Sequence, residues 1–275
     1  MSFTTADVVK LRKSTGAGMM DCKNALTEAD GNFDRAVEII RERGKLVASK
    51  RADRDATEGV VLAKVTGDQK FGAVVVLNCE TDFVAKNEKF IELTASFLAK
   101  ALEHKPSDLD ALKQIELDGR TIEAHVVEQT GIIGERLDLS YYGMVTAETV
   151  VSYIHPGNRL ATLVGFNTAS LDPQVGKDIA MQVAAMSPVA VDRESVPAAV
   201  AEKELEIAKE KFRLEGKPEA MLDKIAQGAL QKFYQDFTLL EQSFIKDGKM
   251  NVKAYLQSID KSLSVTSFER YAIDA

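Results

Sequence analysis

The stretch best able to act on another molecule is Asn78-Cys79-Glu80-Thr81-Asp82-Phe83-Val84-Ala85-Lys86, where a β-rich run ends and a helix begins. A carboxylate beside a phenyl ring at such a corner has two readings. Either Asp82 caps the helix and Phe83 packs inward, or the pair is presented outward as an aromatic wedge with an acid beside it. Cys79, Glu80 and Asp82 do not read as a metal cluster, since alternation at a strand end sends them to different sides and they mix soft and hard ligands. Gly16-Ala17-Gly18 starts like a dinucleotide fingerprint, but a helix precedes it where a strand is needed, and Asp21 stands where the third glycine belongs. The phosphate-cradling pattern GxxxxGK[ST] does not occur. The histidines, His104, His125 and His155, have no metal-ligand spacing. His104 and His125 read as surface residues on helices, and His155 as a turn residue before Pro156. No convergent set of polar side chains emerges, so the expectation is a protein that is not an enzyme and carries neither cofactor nor metal.

The elements that hold these residues follow from periodicity and capping. Thr4 and Asp7 form an N-cap pair ahead of Val8 and Leu11, which share a helix face. After Gly16 and Gly18, a second helix carries Cys22, Ala25 and Leu26 and stops near Gly31. Asn32 caps a third, with Phe33, Ala36, Val37 and Ile40 as its stripe and Gly44 as its predicted end. So small a three-helix core is marginal by itself, which suits a docking module. Lys45 to Glu58 is charged and reads as a helical tail and linker; its bases Lys45, Lys50, Arg51 and Arg54 are interleaved with Asp53 and Asp55, as in a solvated tether.

Beyond it the period changes. Val60–Val65 and Phe71–Leu77 predict a hairpin turning through Thr66-Gly67-Asp68-Gln69-Lys70. A long amphipathic helix then carries Phe90, Ile91, Thr94, Phe97, Leu98 and Ala101, and a shorter one spans Thr121–Thr130. A second version of this order is expected from strands around Leu137–Tyr142, Val150–Ile154 and Leu160–Phe166, leading to a helix capped by Asp172 with Pro173 in its first turn. Residues 198–214 and 219–236 predict two helices joined by Glu215-Gly216-Lys217-Pro218, either a protruding antiparallel arm or a cover for the sheet. A last helix near Val252–Ile259 precedes an extended end, Leu263–Ile273. The class is α+β.

Bulk properties narrow the choices. The 275 residues suffice for two or three compact units, and 45% hydrophobic content is enough for a core. A net charge of -7 argues against a nucleic-acid partner. Two isolated cysteines, Cys22 and Cys79, suit a reducing compartment. The N-terminal MSFTTADVVKLRK is too polar for a secretory signal and its Asp7 argues against a transit peptide. No apolar run approaches the roughly 18–20 residues that span a bilayer, so a cytoplasmic protein without a membrane partner is expected.

Two stretches carry a resemblance. LRKSTGAGMMDCKNAL, Leu11 to Leu26, resembles the N-terminal signature of the elongation factor Ts family, and LNCETDFVAKNEKF, Leu77 to Phe90, resembles its core signature. SYIHPGNRLATLV resembles that family's histidine-containing hairpin. The sequence departs from the family at Val76, where an acid is common, and at Ala161, where glycine is frequent. The resemblance runs essentially end to end. It implies a three-helix ubiquitin-associated-like module (residues 1–55 with the linker), a core of two α+β subdomains with antiparallel sheets (56–140, and 141–197 with 237–250), a helical-hairpin or coiled-coil insertion (198–236) and a C-terminal module (251–275). It also implies a guanine nucleotide exchange factor whose partner is elongation factor Tu. On that resemblance Arg12, Met19 and Met20 dock on the GTPase domain, and Thr81, Asp82, Phe83 and Val84 form the wedge that reaches the magnesium and switch region. Ile133, Gly134 and His155 touch neighbouring parts of the partner; for residues 198–236 three roles stay open, a homodimer contact, a pairing with the partner, or a decoration without a contact. Three rival classes stay open: a ubiquitin-associated-like scaffold, an enzyme with an unfamiliar carboxylate site, and a nucleic-acid binder using Lys45–Arg54.

Overall fold

The computed structural model describes residues 3–273. Residues 1–2 and 274–275, the outermost of the expected N- and C-terminal modules, lie outside the described residues. The chain is mixed helix and antiparallel sheet, and its described residues divide into two compact units, residues 3–62 with 75–143 and 273, and residues 63–74 with 144–272.

The first unit opens with three helices, α1 (Thr5–Thr15), α2 (Met19–Glu28) and α3 (Phe33–Arg51). Thr4 and Asp7 make a reciprocal capping box at the start of α1, and the Asn32 side chain accepts from the Arg35 N–H at the start of α3. Leu11, Cys22, Ala25, Leu26, Ala36, Ile39 and Ile40 close a small core among them. Gly44 does not end α3, which runs seven residues further, to Arg51. Its lack of a side chain serves packing instead: α3 lies along α7 (Ile122–Ile133), and Gly44 meets Gly131 at the crossing.

Strands β1 (Glu58–Val65) and β2 (Phe71–Cys79) form the expected hairpin, and β2 is buried along its whole length. Then follow α4 (Asp82–Ala85), α5 (Glu88–His104), α6 (Leu109–Lys113), the two-residue pair β3 (Glu116–Leu117) and β4 (Arg120–Thr121), α7, and β5 (Asp138–Thr146). Phe90, Thr94, Phe97, Leu98 and Ala101 are the buried face of α5, as its period requires. The first sheet has the order β1-β2-β5, so the strand at Leu137–Tyr142 closes this sheet and does not open the second one. Sequence adjacency to β6 suggested otherwise; the buried central strand β2 took it as its second neighbour.

The second unit holds β6 (Thr149–Ile154), β7 (Leu160–Phe166), α8 (Pro173–Met186), α9 (Ala198–Leu214), α10 (Glu219–Phe237), β8 (Ser243–Phe244), β9 (Asp247–Asn251), α11 (Val252–Ile259) and β10 (Val265–Ala272). Its sheet has the order β10-β7-β6, with β7 antiparallel to both neighbours. Both sheets therefore place the second strand of a hairpin at the centre, flanked by the first strand and by one that returns after the helices. Ile179, Ala180 and Val183 of α8 pack into a core with Val164, Phe166, Leu239, Val252, Leu256 and Val265. Met186, at the end of α8, is 40% exposed. The pair α9–α10 forms a helical hairpin whose seam is Ala208, Leu222, Ala226 and Leu230. No helix among the described residues is long and apolar enough to cross a membrane.

Candidate functional site

The corner after β2 is built by hydrogen bonds reaching far along the chain. Glu80 and Thr81 leave the strand, and both of their backbone N–H groups donate to Glu135 Oε2, at 3.1 and 3.0 Å. The Thr81 hydroxyl donates to Glu135 Oε1 at 2.6 Å. In return, Glu80 Oε1 accepts from the Arg136 N–H at 2.6 Å, and Arg51 Nη1 donates to both Glu80 oxygens at 2.8 and 3.0 Å. The Glu135 carboxylate thus holds the backbone at Glu80 and Thr81, and the Glu80 carboxylate holds the backbone at Arg136. Thr81, not Asp82, is the N-cap of α4, its hydroxyl accepting from the Val84 N–H. The Cys79 thiol donates to the Thr81 carbonyl at 3.2 Å, and burial pushes its pKa up to about 12, so it is held as an inert thiol.

On this fixed turn Phe83 is 83% exposed. The alternative in which its ring packs inward is overturned. Thr81 supplies the cap, and a helix of only four residues with no buried member has no core to receive the ring. Asp82 pairs with Lys86, Nζ to Oδ2 at 2.6 Å, and that hydrogen bond holds its carboxyl below the usual aspartate range. At the corner, then, an ionised carboxylate adjoins a solvent-facing phenyl ring. Cys79, Glu80 and Asp82 do not converge on a metal position: the first is bonded to the Thr81 carbonyl, the second to Arg51 and Arg136, the third to Lys86.

Val84 continues from the wedge into a shallow groove of about 220 Å³ lined by Gly16, Val84, Phe90, Leu93, Ile132 and Ile133. The groove brings the end of α1, the start of α5 and the end of α7 together. Gly134 follows as the left-handed cap of α7, φ 79°, its N–H donating to the Thr130 carbonyl. Arg12, Met19 and Met20 are exposed on α1 and α2, Met20 at 63%. His155 belongs to the second unit, in the turn between β6 and β7. It is exposed, and its Nδ1 lies 2.9 Å from the Tyr153 hydroxyl.

His125 is not the surface residue its helical position suggested. It is buried, and its Nε2 donates to the Leu117 carbonyl at 2.6 Å, satisfying the β3–β4 turn. Glu135, Arg136 and Arg51 form the support of the corner, and local pattern did not single out the first two. Their partners lie more than 50 positions away, and the one sequence signal is an acid–base pair just after a helix-ending glycine. Arg51, expected in a solvated tether, has a defined partner in Glu80.

Comparison with known proteins identifies similar chains. The family described as "Elongation factor TS" matches residues 80–275. The chain is 50% identical over 276 residues to an elongation factor Ts of Porphyromonas gingivalis strain W83, covering all of both chains. It is 48% identical over 270 residues to one from Azobacteroides pseudotrichonymphae, covering 98% of each. It is 46% identical over 273 residues to one from Flavobacterium psychrophilum, covering 99% of each.

Proposed function

Because the chain belongs to the elongation factor Ts family, we propose that it is a guanine nucleotide exchange factor which releases GDP from elongation factor Tu by pressing the Asp82–Phe83 corner against the magnesium and phosphate site. The observation that carries this reading is Phe83, a phenyl ring 83% exposed on a turn clamped by Glu135 and Glu80. An exposed aromatic on a rigid backbone suits insertion into a neighbour, because the ordering cost is met before binding.

A GTPase holds GDP through its phosphates and the magnesium that bridges protein and nucleotide. The factor must bind the empty partner more tightly than the loaded one, since equal affinity shifts nothing, and the weakening is reciprocal. A 10⁴-fold loss of GDP affinity requires about 5.5 kcal/mol of differential binding. One buried phenyl ring supplies about 1.5–3 kcal/mol. The rest falls to a wider grip. In this reading α1–α3 form a ubiquitin-associated-like docking module that presents Arg12, Met19 and Met20. Thr81 and Val84 flank the wedge, Ile133 and Gly134 border its groove, and His155 adds a contact from the second unit. Asp82 acts without touching nucleotide, by displacing groups that orient the water shell of magnesium. No cofactor is required, and the protein works in the cytoplasm without direct nucleic-acid contact.

The hairpin α9–α10 fits a coiled-coil insertion that joins two copies of the chain. Ile207, Leu214 and Met221 are exposed on it, Leu214 at 80%. The deciding experiment mixes the chain in catalytic amounts with elongation factor Tu carrying fluorescent GDP. Accelerated release supports exchange; a complex that forms without acceleration replaces this reading with a scaffold.

A further inference from the structure

We propose that Glu135 is a positioning residue for nucleotide release: it touches no partner, and it fixes the direction in which Phe83 is presented. The proposal rests on the exchange reading above and extends it to a residue that follows α7. Three hydrogen bonds converge on one half-buried carboxylate, from the Glu80 and Thr81 N–H groups and from the Thr81 hydroxyl. These are the last two residues before α4, so their conformation sets the axis of that single turn and hence the exit vector of Phe83. With four residues and no buried side chain, α4 has no packing of its own to set that axis. The opposite bond, from the Arg136 N–H to Glu80, keeps Glu135 in register with its targets. Gly134, in the left-handed conformation at φ 79°, turns the chain so that the Glu135 carboxylate can face back toward the strand end.

Without the carboxylate, two N–H groups and a hydroxyl lose their common acceptor and turn to water. The corner then samples several directions, and only a fraction of bound complexes carries the ring in the productive one. Freeing about one residue of backbone order corresponds to roughly a tenfold loss. That loss falls on the step after docking, because Arg12, Met19, Met20 and the groove are untouched.

The test uses the full chain and elongation factor Tu loaded with fluorescent GDP, with release followed over a range of factor concentrations. Glu135→Ala is expected to lower the saturating release rate about tenfold while leaving the half-saturating concentration unchanged. Amide hydrogen exchange at Glu80 and Thr81 of the free variant should accelerate. Glu135→Gln keeps an oxygen for the two N–H groups, while the Thr81 hydroxyl accepts from its amide, so it should restore most of the rate and the amide protection. If Glu135→Ala does not fold, Glu135→Asp, whose carboxylate is one methylene short, is read in the same way. A folded variant with unprotected Glu80 and Thr81 amides but a full saturating rate would overturn the proposal. So would a loss confined to the half-saturating concentration. Phe83→Ala, run in parallel, separates the two ideas: if it too releases GDP normally, the wedge itself fails, and if it is slow while Glu135→Ala is not, only the positioning role fails.

Discussion

Gly44 of α3 and Gly131 of α7 meet so closely that a methyl group on Gly131 would overlap the Cα of Gly44, whereas a methyl on Gly44 would stand 3.6 Å from the Cα of Gly131. The contact is asymmetric, and the two alanine substitutions should differ in sign. Gly131→Ala forces the helices apart and is expected to cost about 1–3 kcal/mol, the range for overpacking. Gly44→Ala meets only ordinary van der Waals contact and gains up to about 1 kcal/mol of helix propensity. Thermal melts of the two variants check this; equal losses in both would contradict the geometry.

Phe83→Ala should separate function from stability. A ring 83% exposed contributes little to the fold, so the unfolding free energy should stay within about 0.5 kcal/mol of the parent. Release of GDP from elongation factor Tu should slow about tenfold or more, given the 1.5–3 kcal/mol a buried phenyl supplies. Chemical denaturation and stopped-flow fluorescence on the same preparation measure both.

Glu80 should make stability depend on pH. The Arg136 N–H, and after it Arg51, hold its carboxyl below the ordinary value of 4.5. A depressed folded pKa stabilises the protein above the unfolded value, and the contribution is lost as pH falls from about 4.5 through the lower folded value. Glu80→Gln is expected to be less stable at pH 7 by up to about 1.5–3 kcal/mol, the worth of hydrogen bonds to a charged group. The difference should shrink below the ordinary carboxylate pKa and close in stronger acid. Denaturation curves at neutral and acid pH test this; a gap that does not narrow would refute it.

Leu214→Lys addresses the arm. The residue is 80% exposed at the end of α9, next to the turn in which Gly216 has φ 77°. The side chain lies in solvent, so the helical content of the variant, read by circular dichroism, should not change. If residues 198–236 join two copies, sedimentation should show the parent as a dimer and the variant as a monomer, whereas identical sedimentation would remove the dimer contact.

Much of this fold was legible because its signals are local. The Thr4–Asp7 box, the Asn32 and Asp172 caps, the turn at 66–70 and the helix at Val252–Ile259 each depend on residues within a few positions of one another. Three of the misreadings share one cause, which is a contact made by a different element. Gly44 reads as a helix stop until Gly131, on another helix, explains it. His125 reads as exposed until the β3–β4 turn offers the Leu117 carbonyl. The strand at Leu137–Tyr142 reads as the start of the second sheet until β2 claims it. At the candidate site, the motif around Asp82 and Phe83 stood out by composition, but its outward direction did not. That direction depends on Glu135, 54 positions beyond Thr81, and no periodicity links such a pair.

Strand β10 pairs with β7 from Val265–Phe166 to Ala272–Leu160, so partners in the second sheet stand about a hundred residues apart. During synthesis β7 emerges with one side of its hydrogen-bonding edge unfilled, and about a hundred further residues must follow before that edge is covered. Completion of the second sheet therefore waits for synthesis of residues 265–272. A nascent chain halted before Val265 would carry an open edge strand, the form in which such a protein is most prone to pair with its neighbours.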